Sequence, residues 1–189
     1  MAGPDTPQQQ LRFDAGANRL GALALCIVDR ITESLDEPAG SPTSAAALSS
    51  LHHFLERPTI QQLCQVLGLS HSGAVRLVDR LVDAGLVRRQ PGDDARSTVV
   101  GLTASGRRAA RRATAARAAV LGSALSCLTA PERQQLDGLV SRVLVGMMRG
   151  PGATGWMCRM CDTATCGLDD ASCPVTHAAH HRWGSGSPR

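Results

Sequence analysis

The sequence predicts a mainly α-helical fold with one small β-hairpin. Three observations predict it. Apolar residues recur at helical spacing in six separate stretches. Capping residues bracket several of these stretches. Two short Val- and Thr-rich runs, 86–90 and 97–102, flank the turn signal Pro91-Gly92-Asp93-Asp94. Aromatics are 2% of the 189 residues and Tyr is absent, so Leu, Val, Ile and Ala must build the core. These side chains suit helix packing.

Residues 1–15, rich in Gln, Pro and Gly, are expected to form a flexible leader. Leu20, Leu23, Ala24, Ile27, Val28, Ile31 and Leu35 predict a first helix ending before Pro38. Residues 39–43 are expected as a loop. Ala47, Leu48, Leu51, Phe54 and Leu55 predict a second helix, stopped before Pro58. Thr59 caps a third, with Gln62 completing a capping box and Ile60, Leu63, Cys64 and Leu67 as its buried stripe. Gly68 supplies the left-handed turn, and Ser70 caps a fourth helix over 71–84 with Ala74, Leu77, Val78 and Leu81 facing inward. A fifth helix is expected over 104–128. Thr129 and Glu132 box the start of a sixth, which is expected to bury Leu136, Leu139, Val140, Val143 and Met147. Residues 16–150 form the predicted globular domain. Residues 151–189, with four Cys, three His and two Trp but little periodicity, form a tail.

The formal net charge of +4 is mild, but its distribution is not. Residues 70–120 hold ten Arg against four Asp, a net of +6. A concentrated basic stretch is what a phosphate-binding surface requires. The chain has no Lys, so Arg abundance also reflects general usage, and a solvated face is the alternative for 107–117. The sequence shows no signal peptide and no apolar run that spans a bilayer, so a cytoplasmic protein without membrane association is expected. It contains no nucleophile–base–acid set, Gly-rich phosphate loop or open catalytic metal pattern, so no enzyme is expected.

Two short helices joined by a Gly-containing turn make a helix-turn-helix, whose second helix reads the major groove from its N-terminal residues. Ser70, His71 and Ser72 lie at that N-terminus, suited to phosphate or base edges. Val75, Arg76, Asp79 and Arg80 share the outward face, with Arg76 and Arg80 one turn apart. Arg can grip guanine bidentately. The hairpin then reads as a wing. Arg96 stands at its tip, where an Arg suits a narrow minor groove, and Asp94 can brace its guanidinium.

Residues 63–108, and above all Leu81…Gly85-Leu86-Val87-Arg88-Arg89, Asp94-Ala95-Arg96-Ser97 and Leu102-Thr103…Gly106-Arg107, resemble the MarR family of regulators. The resemblance covers roughly residues 16–149. It implies a winged helix-turn-helix domain flanked by long dimerisation helices. It also implies a homodimer reading a palindromic double-stranded DNA operator, acting as a repressor, with the Asp-x-Arg pair in the wing. The DNA-binding set is then Ser70, His71, Ser72, Val75, Arg76, Arg80, Arg88, Asp94 and Arg96. The apolar stripes on the first and sixth helices are wide for a lone small domain, which fits a dimer. The family also implies a small-molecule or redox effector. With no Tyr, an aromatic-lined pocket is not expected. Cys26 and Cys64 are sensor candidates, though each sits on an apolar stripe where a buried small hydrophobe is the simpler reading.

Cys158, Cys161, Cys166 and Cys173 give C-x2-C-x4-C-x6-C. Four thiols in so short a span point to tetrahedral thiolate coordination. Zinc is favoured. An iron–sulfur cluster is the alternative, and metal-free or disulfide-bonded thiols remain open. His177, His180 and His181 could substitute as ligands or form a solvated tail. The site is expected to act on dimer geometry and so on operator affinity. The rival reading makes the chain a metal or cluster redox protein, or a protein-interaction module, with the helical domain as scaffold.

Overall fold

The computed structural model describes residues 14–35, 40–92, 97–150, 152–167 and 172–184. Its elements are α1 (Ala15–Glu33), α2 (Pro42–His53), α3 (Ile60–Leu67), α4 (His71–Asp83), β1 (Val87–Pro91), β2 (Thr98–Leu102), α5 (Ala104–Ala124), α6 (Ala130–Gly146), α7 (Ala153–Met157), α8 (Thr163–Cys166) and α9 (Pro174–Trp183). The mainly helical fold with one hairpin is the one the sequence predicts.

Local chemistry shifts several boundaries. Helix α1 starts at Ala15, five residues ahead of its first expected apolar position, because Asp14 caps it by accepting the Ala17 N–H. The expected loop over 39–43 is in part a helix start. Ser41 accepts the Ser44 N–H, and Pro42 sits in the first turn, where its missing donor costs nothing. Helix α5 ends at Ala124, short of the expected Leu128.

One core joins α2, α3, α4, the hairpin and α5. Leu48, Leu63, Leu77, Val78 and Val100 are its fully buried side chains. Where α2 meets α5, Ala45, Ala46 and Ala47 lie in the same core as Ala109, Ala110 and Ala113, and small side chains let the two backbones approach closely. Such a seam has no room to give. Ala110→Leu is therefore expected to destabilise the fold by about 1–3 kcal/mol in urea unfolding. An unchanged midpoint would contradict the packing described.

The hairpin strands pair antiparallel, from Val87 opposite Leu102 to Pro91 opposite Thr98. A third piece of chain extends the sheet: Thr59 bridges to Val99, and the Val100 N–H donates to the Pro58 carbonyl at 2.9 Å. Arg57, with φ at 47°, donates to the Pro91 carbonyl at 2.9 Å. The segment preceding α3 is thus tied to both strands of the hairpin.

The stripe expected to be buried on α6 is not buried within the chain. Leu139 is 57% exposed, and Val140, Val143 and Met147 are also exposed, while Leu136 is half-buried. Helix α1 likewise buries nothing: Leu20, Leu23, Leu25 and Val28 are all exposed. Periodicity identifies an apolar face but not what covers it.

The tail also departs from expectation. Residues beyond 150 form three short helices, and these pack on the rest: α7 against α3 and α9 against α6. Cys173, Val175 and Ala179 bury with Met148 in a second, smaller core. Among the described residues no helix is long and apolar enough to cross a membrane.

Candidate nucleic-acid interface

The reading head is assembled by its caps. The hydroxyl of Thr59 accepts the Gln62 N–H while the Gln62 side chain accepts the Thr59 N–H, which satisfies two otherwise orphaned donors at the start of α3. Gly68 ends α3 at φ 65°, a left-handed conformation that lets the chain turn sharply. Ser70 then caps α4 by accepting the Gly73 N–H at 3.2 Å, so its hydroxyl sets the start of the helix. The inner face of α4, Ala74, Leu77, Val78 and Leu81, is buried as expected.

With one face sealed, the other is fixed toward solvent. His71, Ser72, Arg76 and Arg80 are exposed, and Val75 is half-buried at the edge of the face. Asp79 is not free to brace a DNA-reading group: it accepts from Arg89 on β1 at 2.7 Å. This ion pair, which sequence spacing did not single out, ties α4 to the wing strand. It is exposed, so its worth in stability is small and its effect is positional. Arg88, the neighbour of Arg89, is exposed on β1. Arg76, Arg80 and Arg88 have no ion pair among the described residues, and phosphate can engage guanidinium groups so placed. Asp94 and Arg96, the expected wing-tip pair, lie outside the described residues.

The first turns of α5 add Arg107, Arg108, Arg111 and Arg112, all exposed. Arg107 and Arg111 act on His52 of α2, whose pKa is lowered first by burial and then by neighbouring positive charge from His53 and these two Arg.

The four tail cysteines come together. Cys166 donates to Cys173 with the sulfurs 3.8 Å apart, and Cys158, Cys161 and Cys166 lie near enough to shift one another's pKa. The hydrogen bond from Cys158, helped by the Arg117 guanidinium of α5, lowers Cys161 to about 6. The same bond pushes Cys158 well above the usual thiol range. Burial, with Cys173 beside it, pushes Cys166 up to about 12. Among the described residues no group of three or more His, Cys, Asp or Glu side chains is arranged to hold a metal ion. His177, His180 and His181 are exposed on α9, as a solvated tail would have them. Cys26 and Cys127 are exposed and Cys64 is half-buried. The expectation that Cys26 is a buried small hydrophobe is therefore corrected, since it lies on the uncovered helix α1.

Residues 41–97, the reading head and the first wing strand, match a model of the MarR family. No curated protein matches the chain. Among solved structures, the chain is similar to a cysteine-to-serine mutant of MarR from E. coli, at 24% identity over 70% of this chain and 98% of that one, TM-score 0.61. It is also similar to YusO from Bacillus subtilis, at 24% identity over 67% and 89%, TM-score 0.58. A mutant of S. aureus MepR, solved bound to oligodeoxyribonucleotide, is similar at 17% identity over 72% and 100%, TM-score 0.53. At these identities the solved structures share the fold. Residues 41–97 thus carry the family match, and the solved structures share the winged-helix fold.

Proposed function

We propose that this protein is a homodimeric, sequence-specific DNA-binding regulator that represses by occupying a palindromic operator. The observation that carries the reading is the outer face of α4. Arg76 and Arg80 project from a helix whose opposite face is wholly buried, and Arg88 stands exposed on the adjoining wing strand. A helix so held can enter a major groove with its N-terminal turns, while the wing follows the backbone. MepR, which shares the fold, was solved with an oligodeoxyribonucleotide, and the same use of the reading head is inferred here.

Dimerisation is inferred from α1 and α6. Both helices bury none of their residues within one chain, yet both carry runs of exposed Leu and Val. Exposed apolar surface on that scale marks an interaction face. A second copy supplies the matching face by twofold symmetry, and the same symmetry dictates two inverted half-sites.

The test is binding to the DNA upstream of the protein's own coding region across a salt series. Specific binding with a steep log–log slope is expected. Arg76→Ala should cost about 1–3 kcal/mol and relax base preference, whereas Arg88→Ala should weaken all sequences alike and reduce the salt slope by about one. Equal affinity of both variants and the unaltered protein would sink this docking.

A further inference from the structure

We propose that Cys166 and Cys173 are a thiol pair that a hydroperoxide oxidises to a disulfide, tying α8 to α9. The inference goes beyond the DNA-binding reading and does not depend on it.

The pair is placed by its sulfurs and by its backbone. The Cys166 thiol donates to the Cys173 sulfur at 3.8 Å, so the two need to close by only about 1.8 Å to reach bonding distance. The chain around them is already drawn together. The Ser172 and Cys173 N–H groups both donate to the Gly167 carbonyl, at 3.0 and 3.3 Å. Gly167 takes the left-handed turn, at φ 71°, that ends α8. Cys173 stands at the N-cap of α9.

Each half of the pair belongs to a different anchorage. The α8 side is fixed to α2: Ser50 donates to the Arg159 carbonyl at 3.0 Å, and Thr163 donates to the His53 carbonyl at 3.2 Å. The α9 side packs on α6, where Cys173, Val175 and Ala179 bury with Met148. Residues 166–173 join the two anchorages. A disulfide closes that stretch into a covalent ring and removes freedom from the undocked tail.

The chemistry runs inward from the partly exposed thiols. Cys161 and Cys166 are partly exposed, whereas Cys173 is 2% exposed and out of direct reach of an oxidant. Cys161, lowered to about 6, is largely thiolate at neutral pH and is the attacking group. It displaces the distal peroxide oxygen. The O–O bond breaks, an alcohol or water leaves, and Cys161 becomes a sulfenic acid. Cys166, close enough to Cys161 to perturb it, attacks that sulfur and releases water. Cys173 then attacks the Cys166 sulfur, its proton passes to solvent, and Cys161 leaves as thiolate. A thiol of low pKa is the better leaving group, so the disulfide ends on Cys166 and Cys173. In sum, two thiols give two electrons to one peroxide, yielding a disulfide, an alcohol (or water) and water.

The test treats the full, reduced chain with one equivalent of hydrogen peroxide, blocks the remaining thiols by alkylation, and maps the product. Cleavage after Arg159 and before Asp162 and Asp170 puts each of the four tail cysteines on its own peptide. The peptides of Cys166 and Cys173 should be joined, those of Cys158 and Cys161 alkylated, and dithiothreitol should reverse the change. Cys161→Ser should slow the reaction at least about tenfold yet leave the same pair joined. The oxidised chain should melt about 5 °C above the reduced one. Cys166 and Cys173 recovered alkylated, a disulfide confined to Cys158 and Cys161, or tail thiols held from peroxide by a bound metal overturns the assignment. An undiminished rate in Cys161→Ser overturns the relay, and an unchanged Tm overturns the tie between α8 and α9.

Discussion

Leu139→Glu combined with Val143→Glu is expected to leave the protein monomeric and to cut operator affinity by about 100-fold or more. Both side chains are about half exposed on α6, at 57% and 48%, so a single chain loses almost no packing when they change. Four residues apart, they share one face of the helix, and two copies would bring that face together. Each carboxylate placed there would be buried without a partner, a cost that rises steeply with desolvation. The DNA consequence follows from linkage. A dimer engages its second half-site at a high effective concentration, which adds roughly 10²–10⁴ to the affinity of one reading head. Sedimentation equilibrium measures the first effect and a salt-matched operator titration the second, with far-UV circular dichroism checking that the helices persist. A variant that remains dimeric places the interface elsewhere. A monomeric variant with undiminished operator binding would mean that one reading head suffices.

The parts of the fold legible in the sequence are those fixed by neighbours in the chain. The caps at Thr59, Ser70 and Thr129 were readable because a cap is a local exchange of hydrogen bonds. The buried face of α4 was readable because four apolar residues at helical spacing, between a sealed turn and a hairpin, have one place to go. The exposed guanidinium groups of the interface follow from that burial. Features set by distant segments were not readable. Nothing local announces that Pro58 pairs with Val100, that Asp79 meets Arg89, or that Thr163 reaches His53. Helices α7 and α8 are too short to show a period, so their segment read as a tail with little periodicity, although the C-x2-C-x4-C-x6-C spacing marked it out. Helices α1 and α6 show the converse. Their stripes were plain, but a stripe does not say whether its cover comes from the same chain.

Gly106→Ala is expected to cost more than about 3 kcal/mol, the largest stability effect of any single methyl group in the domain. Gly106 lies in the first turn of α5 and is buried against the start of the wing. A Cβ there would fall on the Leu86 carbonyl oxygen and crowd the Leu102 side chain. Neither the helix nor the strand can yield independently. The Leu86 carbonyl accepts the Thr103 N–H at 3.0 Å and the Thr103 hydroxyl at 3.1 Å, and the same hydroxyl caps α5 by accepting the Gly106 N–H. Any shift that relieves the clash breaks bonds that join the end of α4 to the start of α5, and each broken bond leaves a partly buried group unpaired. Gly122→Ala, on the same helix, isolates the cause. A Cβ at Gly122 meets nothing within 4 Å, so this change should stabilise by up to about 1 kcal/mol through helix propensity. Urea unfolding of the two variants side by side gives opposite signs if the contact with Leu86 sets the cost. Two shifts of the same sign and size would mean that the junction of wing and helix is looser than this geometry requires.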